Sequence, residues 1–194
     1  MLTLIDYNLG SIVKVTDALT EAGIKFKITK NETDIIGSEK IILAGTEEAL
    51  SAVKKLHLLN LFTVLRIVKK PVLGIGLGMQ LLSDFSKEGD VACLGKFAGT
   101  VDKFDISISK VPFSGNYKIN KERNSKLFQN IDETAEFCFR NSFYLPVNDY
   151  STAYAQNGIN FSAAIEKDNF FGVQFHPEES GESGLTLLRN FSEL

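Results

Sequence analysis

A chain of 194 residues that is 44% hydrophobic can bury one substantial core and is short for two, so a single domain over 1–194 is expected. Its 24 acidic and 21 basic residues give a formal net charge of −3 with the signs interspersed, which speaks against a nucleic-acid-binding surface. No apolar run approaches the ~20 residues that span a bilayer, and Met1 leads directly into "LTLIDYNLG" without a secretory pattern. A cytoplasmic protein without membrane contact is the expectation. Cys93 and Cys138 lack CxxC spacing, so buried free thiols are expected and neither a metal site nor a cofactor is.

The first half of the chain alternates. "LTLI" (2–5) reads as a short apolar strand, followed by a turn at Asn8 to Gly10. An amphipathic helix follows, with Ile12, Val15, Ala18, Leu19 and Ala22 at helical spacing, closed by Gly23. "IKFKIT" (24–29) alternates like an edge or half-buried strand, and "KIILAG" (40–45) reads as a buried one. Helical patterning then runs from Glu47 to about Lys70 and stops before Pro71. "VLGI" is another buried strand and "LGMQLLSDF" another helix. Strands alternating with helices through short turns predict an α/β fold, an open and largely parallel twisted sheet with flanking helices.

The second half changes character. "TVDKF", "EFCFR", "SFYLPV" and "FFGVQF" are short runs separated by Gly, Asn, Asp or Pro, which predicts a mixed or antiparallel strand section, and a helix from about Ser183 to Phe191 closes the chain. The 15 phenylalanines fall mainly at apolar strand and helix positions. His57 reads as a helix-surface residue, and "KINKERNSK" (118–126) as a solvated loop.

Chemistry enters at "PVLGIGLGMQLL" (71–82). Gly76 stands at the apex of a strand-to-helix turn, with Gly74 and Gly78 allowing neighbouring backbone to pack closely. By itself such a turn fits a tight connection or a phosphate loop better than a nucleophile elbow. "FGVQFHPEESGESG" shifts that balance. His176 follows an apolar strand and is fixed by Pro177. Glu178, two residues on, could orient its imidazole as general-base activation of a nucleophile requires.

Together, "GIGLGMQLL" and "GVQFHPE" closely resemble the motifs of class I (triad) glutamine amidotransferases, whose elbow reads G-I-C-L-G-M-Q. "LIDYNLGSIVKVTDAL", "KVPFSGNYKI", "FRNSFYLP" and "SGLTLLRNF" extend the resemblance over essentially the whole chain, in the order found in the glutaminase subunits of imidazole glycerol phosphate synthases. The resemblance implies glutamine hydrolysis through a cysteine thioester, with ammonia passed to a (β/α)8-barrel cyclase in a heterodimer of histidine biosynthesis. It places His176 as general base with Glu178 behind it. Leu77 and the loop at Gly45 would supply oxyanion-hole backbone groups, and Gln80 and Ser142 would hold glutamine.

The departures are equally informative. Gly76 stands where the family has its cysteine, so no thioester can form, and neither remaining thiol is placed to replace it. The family's P-G-V-G loop has become Ala44, Gly45, Thr46 and Glu47. Asn116 occupies a tryptophan position, and Asn141 replaces the histidine of H-S-Y. Removing the nucleophile of a triad costs on the order of 10⁶ in rate, so the chain is expected to be inert in glutamine hydrolysis. Glycine relieves the strain an elbow apex imposes, and the scattered departures favour natural divergence over an engineered trap. Three readings stay open: a histidine-biosynthetic subunit inactivated at residue 76, a noncatalytic partner stabilising or regulating an ammonia-using synthase, and a paralogue serving amination or amidination of surface-polysaccharide sugars.

Overall fold

The computed structural model describes residues 1–7 and 12–194; the predicted turn at Asn8 to Gly10 lies outside them. In chain order the strands are β1 (Leu2–Ile5), β2 (Phe26–Thr29), β3 (Lys40–Gly45), β4 (Val72–Gly76), β5 (Ser83–Ser86), β6 (Val91–Ala92), β7 (Phe97–Lys103) and β8 (Phe113–Lys118). They continue with β9 (Asn120–Lys121), β10 (Glu136–Asn141), β11 (Phe143–Tyr144), β12 (Ser151–Asn157), β13 (Ile159–Lys167) and β14 (Phe170–Val173). The helices are α1 (Ile12–Glu21), α2 (Glu32–Gly37), α3 (Ala49–Leu58), α4 (Leu61–Ile67), α5 (Leu77–Leu81) and α6 (Gly181–Glu193). None of them is long and apolar enough to cross a membrane.

The main sheet has the order β2-β1-β3-β4-β14-β13-β12-β9. Its first five strands are parallel and its last three antiparallel, so the α/β fold with a mixed second half is as the sequence predicts. Central strands read as continuous apolar runs because both faces are covered. Leu4, Ile42, Leu73 and Ile75 pack with α1 and α6 residues on one face. Ile41, Leu43 and Val72 pack with α3, α4 and α5 residues on the other. The alternating strand β2 lies at the sheet edge, where its half-buried pattern belongs.

Three segments depart from the sequence reading. The helical pattern of 47–70 is two helices, broken at Asn60, which takes a left-handed φ of 58°. The helix at "LGMQLLSDF" ends at Leu81. Ser83 Oγ then donates to the Gln80 carbonyl at 2.7 Å, and β5 leaves to pair in parallel with β7. Lys121 is also no solvated loop residue. Its Nζ donates to the Ile131 carbonyl at 2.9 Å and pairs with Glu133, and it lies over the Phe128 ring. The short helix α2, capped by the Asn31 side chain, has no clear pattern in the sequence. His57 is exposed, as expected, and stacks on Phe62.

A phenylalanine cluster mounts the small β8–β10 sheet on the main one. Phe104, Phe113, Phe139 and Phe161 meet edge-to-face or tilted, and Phe137 packs on Phe175 of the segment that carries His176. Such pairs add about 0.5–1.5 kcal/mol each beyond area burial. Their consequence is positional: the end of β10 is held over the carboxyl ends of β4 and β14.

The tightest backbone packing around the elbow is at Gly74 and Gly78. A Cβ on Gly78 would lie 1.8 Å from the Leu43 carbonyl oxygen, and one on Gly74 would lie 2.6 Å from the Gly78 carbonyl carbon. Gly37, by contrast, has no heavy atom within 4 Å of its Cβ position. Gly78→Ala is therefore expected to destabilise by about 3 kcal/mol or more, lowering Tm by roughly 6–12 °C, while Gly37→Ala stays neutral or gains up to about 1 kcal/mol. Thermal melts of the two variants beside the parent check this.

Candidate functional site

Strand β4 ends at Gly76 with φ 57° and ψ −116°, a conformation that side-chain-bearing residues adopt only under strain. A Cβ there would lie 3.0 Å from His176 Cε1, 3.4 Å from His176 Nε2 and 3.1 Å from the Gly45 carbonyl oxygen. The apex of the elbow thus faces the imidazole directly. A side chain at 76 would begin at the ring.

His176 is 4% exposed and is fixed from three directions. Its backbone N–H donates to the Cys138 carbonyl at 2.8 Å, and its own carbonyl accepts from Ser180 Oγ at 2.6 Å. Ser180 Oγ in turn accepts from the Cys138 N–H at 3.0 Å, so β10 and the His176 segment are tied through one hydroxyl. Pro177 opens a 3-10 turn, Pro177–Glu179, that swings Glu178 back beneath the ring, where its Oε1 lies 2.9 Å from His176 Nδ1. That contact holds the Nδ1 proton toward the carboxylate and leaves Nε2 directed at residue 76. Among the described residues, the Glu178 Oε2 atom is buried without a partner.

A cleft of about 160 Å³ opens in front of this pair, and Gly45, Gly76, Leu77, Gln80, Ser142 and His176 all line it. The structure therefore brings together every site residue read from the sequence, with Glu178 one step behind. Two placements bear on the expected roles. The Gly45 carbonyl oxygen is among the atoms nearest the apex, 3.1 Å from a Cβ at position 76, so the Gly45 loop lies against the elbow. Gln80 is 4% exposed, and its Nε2 is committed to the Phe143 carbonyl at 3.0 Å and to Gln174 Oε1 at 2.9 Å, so it braces the cleft wall.

Thr46, Glu47, Glu88, Arg140, Asn141, Phe143 and Gln174 complete the lining. Thr46, Glu47 and Asn141 are among the departures from the family motifs, whereas Glu88, Arg140, Phe143 and Gln174 do not stand out as site residues in the sequence. Gln174 is within reach of sequence reasoning, since residues 174 and 176 are two apart on an extended segment and share a face. Glu88 is not. It arrives by tertiary packing: its Oε2 accepts the Ala49 N–H at 3.0 Å and so caps α3 from 39 residues away, while partial burial holds its carboxyl above the usual range. Arg140 and Lys14 both pair with Glu179, clamping the 3-10 turn against β10 and α1. Beneath the Gly45 loop, Tyr7 is 1% exposed, its hydroxyl has no partner among the described residues, and burial, reinforced by Glu47, raises its pKa.

Neither thiol substitutes for the missing one. Burial pushes Cys93 up to about 11, and burial likewise raises Cys138, whose strand neighbour Arg140 opposes the effect. A thiol held protonated is a poor nucleophile.

An elbow, a buried His–Glu pair facing its apex and a polar cleft at the carboxyl ends of parallel strands together define an amidotransferase-type site. The family model of class-I glutamine amidotransferases matches residues 3–193, and the chain belongs to that family. Among curated relatives, the imidazole glycerol phosphate synthase subunit HisH of Haemophilus influenzae is 37% identical over 192 residues, covering 99% of this chain and 96% of that one. HisH of Bacteroides thetaiotaomicron is 40% identical over 192 residues, covering 98% and 97%. The fold is also that of a putative GMP synthase protein from Thermoplasma acidophilum, with TM-score 0.74 at 20% identity over 99% of this chain and 92% of that one.

Replacing Gly76 by alanine places a Cβ against His176 and the Gly45 carbonyl at a positive φ. Gly76→Ala is expected to cost about 1–3 kcal/mol, read as a Tm lowered by roughly 2–12 °C.

Proposed function

We propose that this chain is a glutaminase-type subunit of an imidazole glycerol phosphate synthase-like amidotransferase that binds glutamine but does not hydrolyse it. The observation that carries this reading is the His176–Glu178 pair aimed at a residue with no nucleophile, in a chain 37% identical to HisH. In an intact site of this design, a thiol at 76 would give its proton to His176 and attack the amide carbon. Ammonia would then leave and water would cleave the resulting thioester. Here the base and the cleft persist while the attacking atom is absent. Binding and polarisation remain, and they leave only a small residue of the catalysis.

On this reading residues 1–194 act as one amidotransferase-like unit in the cytoplasm, docked on a (β/α)8-barrel synthase that draws on free ammonia. It binds no nucleic acid or membrane and needs no metal or cofactor. A second reading, a paralogue serving a sugar-modifying synthase, is favoured by segment 113–117, which the structure forms as part of strand β8. There Ser114, Gly115 and Asn116 are exposed on β8 and the family's tryptophan is missing.

The test is Gly76→Cys, purified with the cognate barrel synthase and assayed for ammonia released from glutamine. The parent is expected at background and the variant to rise by a factor on the order of 10³ or more. A variant that binds glutamine yet stays at background would show that the departures at the Gly45 loop, and not the thiol alone, disable the site. Failure of the parent to co-purify with any barrel protein would count against the subunit reading.

A further inference from the structure

We propose that Ser180 is the positioning residue for the base of this site: its hydroxyl sets where the His176 imidazole stands against the elbow apex. The inference rests on the reading of His176 as the base and not on glutamine binding. A serine just ahead of a helix ordinarily turns its oxygen onto the N–H groups of the first turn. Asn31 does so ahead of α2, and Ser125 ahead of the 3-10 turn Lys126–Phe128. Ser180 stands at the same place before α6, yet its side chain makes no capping bond. Its backbone, at φ −110° and ψ 23°, also lies outside the extended region that the other two share. The hydroxyl is engaged elsewhere.

It sits inside the contact between β10 and the His176 segment. Cys138 and His176 form an isolated antiparallel bridge. The two residues of a hydrogen-bonded antiparallel pair exchange two direct backbone bonds. Here one is direct, from the His176 N–H to the Cys138 carbonyl at 2.8 Å, and the other is relayed. The Cys138 N–H donates to Ser180 Oγ at 3.0 Å, and Ser180 Oγ donates to the His176 carbonyl at 2.6 Å. The hydroxyl therefore wedges one side of the bridge open and fixes the tilt of the His176 backbone against β10. The same carbonyl accepts the Glu179 N–H at 3.0 Å, closing the turn that carries Glu178 to Nδ1. One hydroxyl thus holds both the base and the carboxylate behind it. The tolerance is small. A Cβ at residue 76 would already lie 3.0 Å from His176 Cε1, and misplacing a reacting group by about 1 Å can cost about 10²-fold in rate. Ser180 does not line the cleft, so it acts through the backbone alone.

Proton and nitrogen NMR of the full chain, for the parent, Ser180→Ala and Ser180→Thr, tests this without glutamine or a partner. The chain has two histidines, and the exposed His57 serves as the internal reference. The parent is expected to hold neutral His176 as the Nδ1–H tautomer, with a slowly exchanging ring proton and a protected Cys138 amide. In Ser180→Ala the Cys138 amide is expected to exchange about 10-fold faster or more, and the His176 ring to move toward the tautomer mixture of His57. Threonine keeps the hydroxyl and is expected to restore both signals. Ser180→Gly, which removes the hydroxyl and suits a helix start, carries the comparison if alanine does not fold. Alanine and glycine variants that keep the parent's His176 signals, even with a lowered Tm, would overturn the inference and leave Ser180 a structural tie only. Loss of the signals in the threonine variant as well would assign the effect to packing and overturn it too. A parent without the Nδ1–H tautomer would overturn the reading of His176 as the base.

Discussion

The close approach of Gly78 to the Leu43 carbonyl is the constraint on which the cleft depends. It lets α5 start directly above β3 and β4, with Gly74 clearing the same space from below. The chain must then reverse within one residue between the end of β4 and the start of α5. Gly76 takes that residue's positive φ, and the reversal points the apex at His176. The elbow is thus a property of backbone packing. It survives the loss of any particular side chain at its apex, which is why a glutaminase geometry persists in a chain that lacks the thiol.

The same geometry explains where the molecule leaves polar groups unpaired. Among the described residues, the Tyr7 hydroxyl, Asn141 Oδ1 and Glu178 Oε2 are buried without partners beneath, beside and behind the cleft, while Glu166 Oε2 lies away from it on β13. Each costs about 1–3 kcal/mol by ordinary measures, a large share of the roughly 5–15 kcal/mol that separates folded from unfolded domains. A site drifting freely toward stability would shed such groups, because an apolar replacement of similar shape is neutral or favourable. Glycine at 76 is the one change there that relieves strain and removes chemistry together.

Much of this is legible in the residues. Buried runs such as "KIILAG" and "VLGI" announce central strands because apolar side chains on both faces admit no other placement in a parallel sheet. His176, Pro177 and Glu178 lie so close in sequence that a single 3-10 turn brings them into register. The helix over 77–85 is shorter than its pattern because Ser83 turns the chain where β7 is there to receive it, and no local spacing signals that. Lys121 has charged neighbours along the chain, yet the Ile131 carbonyl and the Phe128 ring decide where it lies.

Sequence by itself determined the class of fold, the glycine at the apex and the pairing of His176 with Glu178, since local spacing and residue chemistry are enough for those. Tertiary structure alone decided that Glu88 joins the cleft while capping a helix that starts 39 residues before it, that Gln80 is committed to bracing, and that the Ser180 hydroxyl ties β10 to His176. The reason is physical. A hydrogen-bonding side chain has a fixed capacity, and only the assembled neighbours determine how much of it the fold consumes.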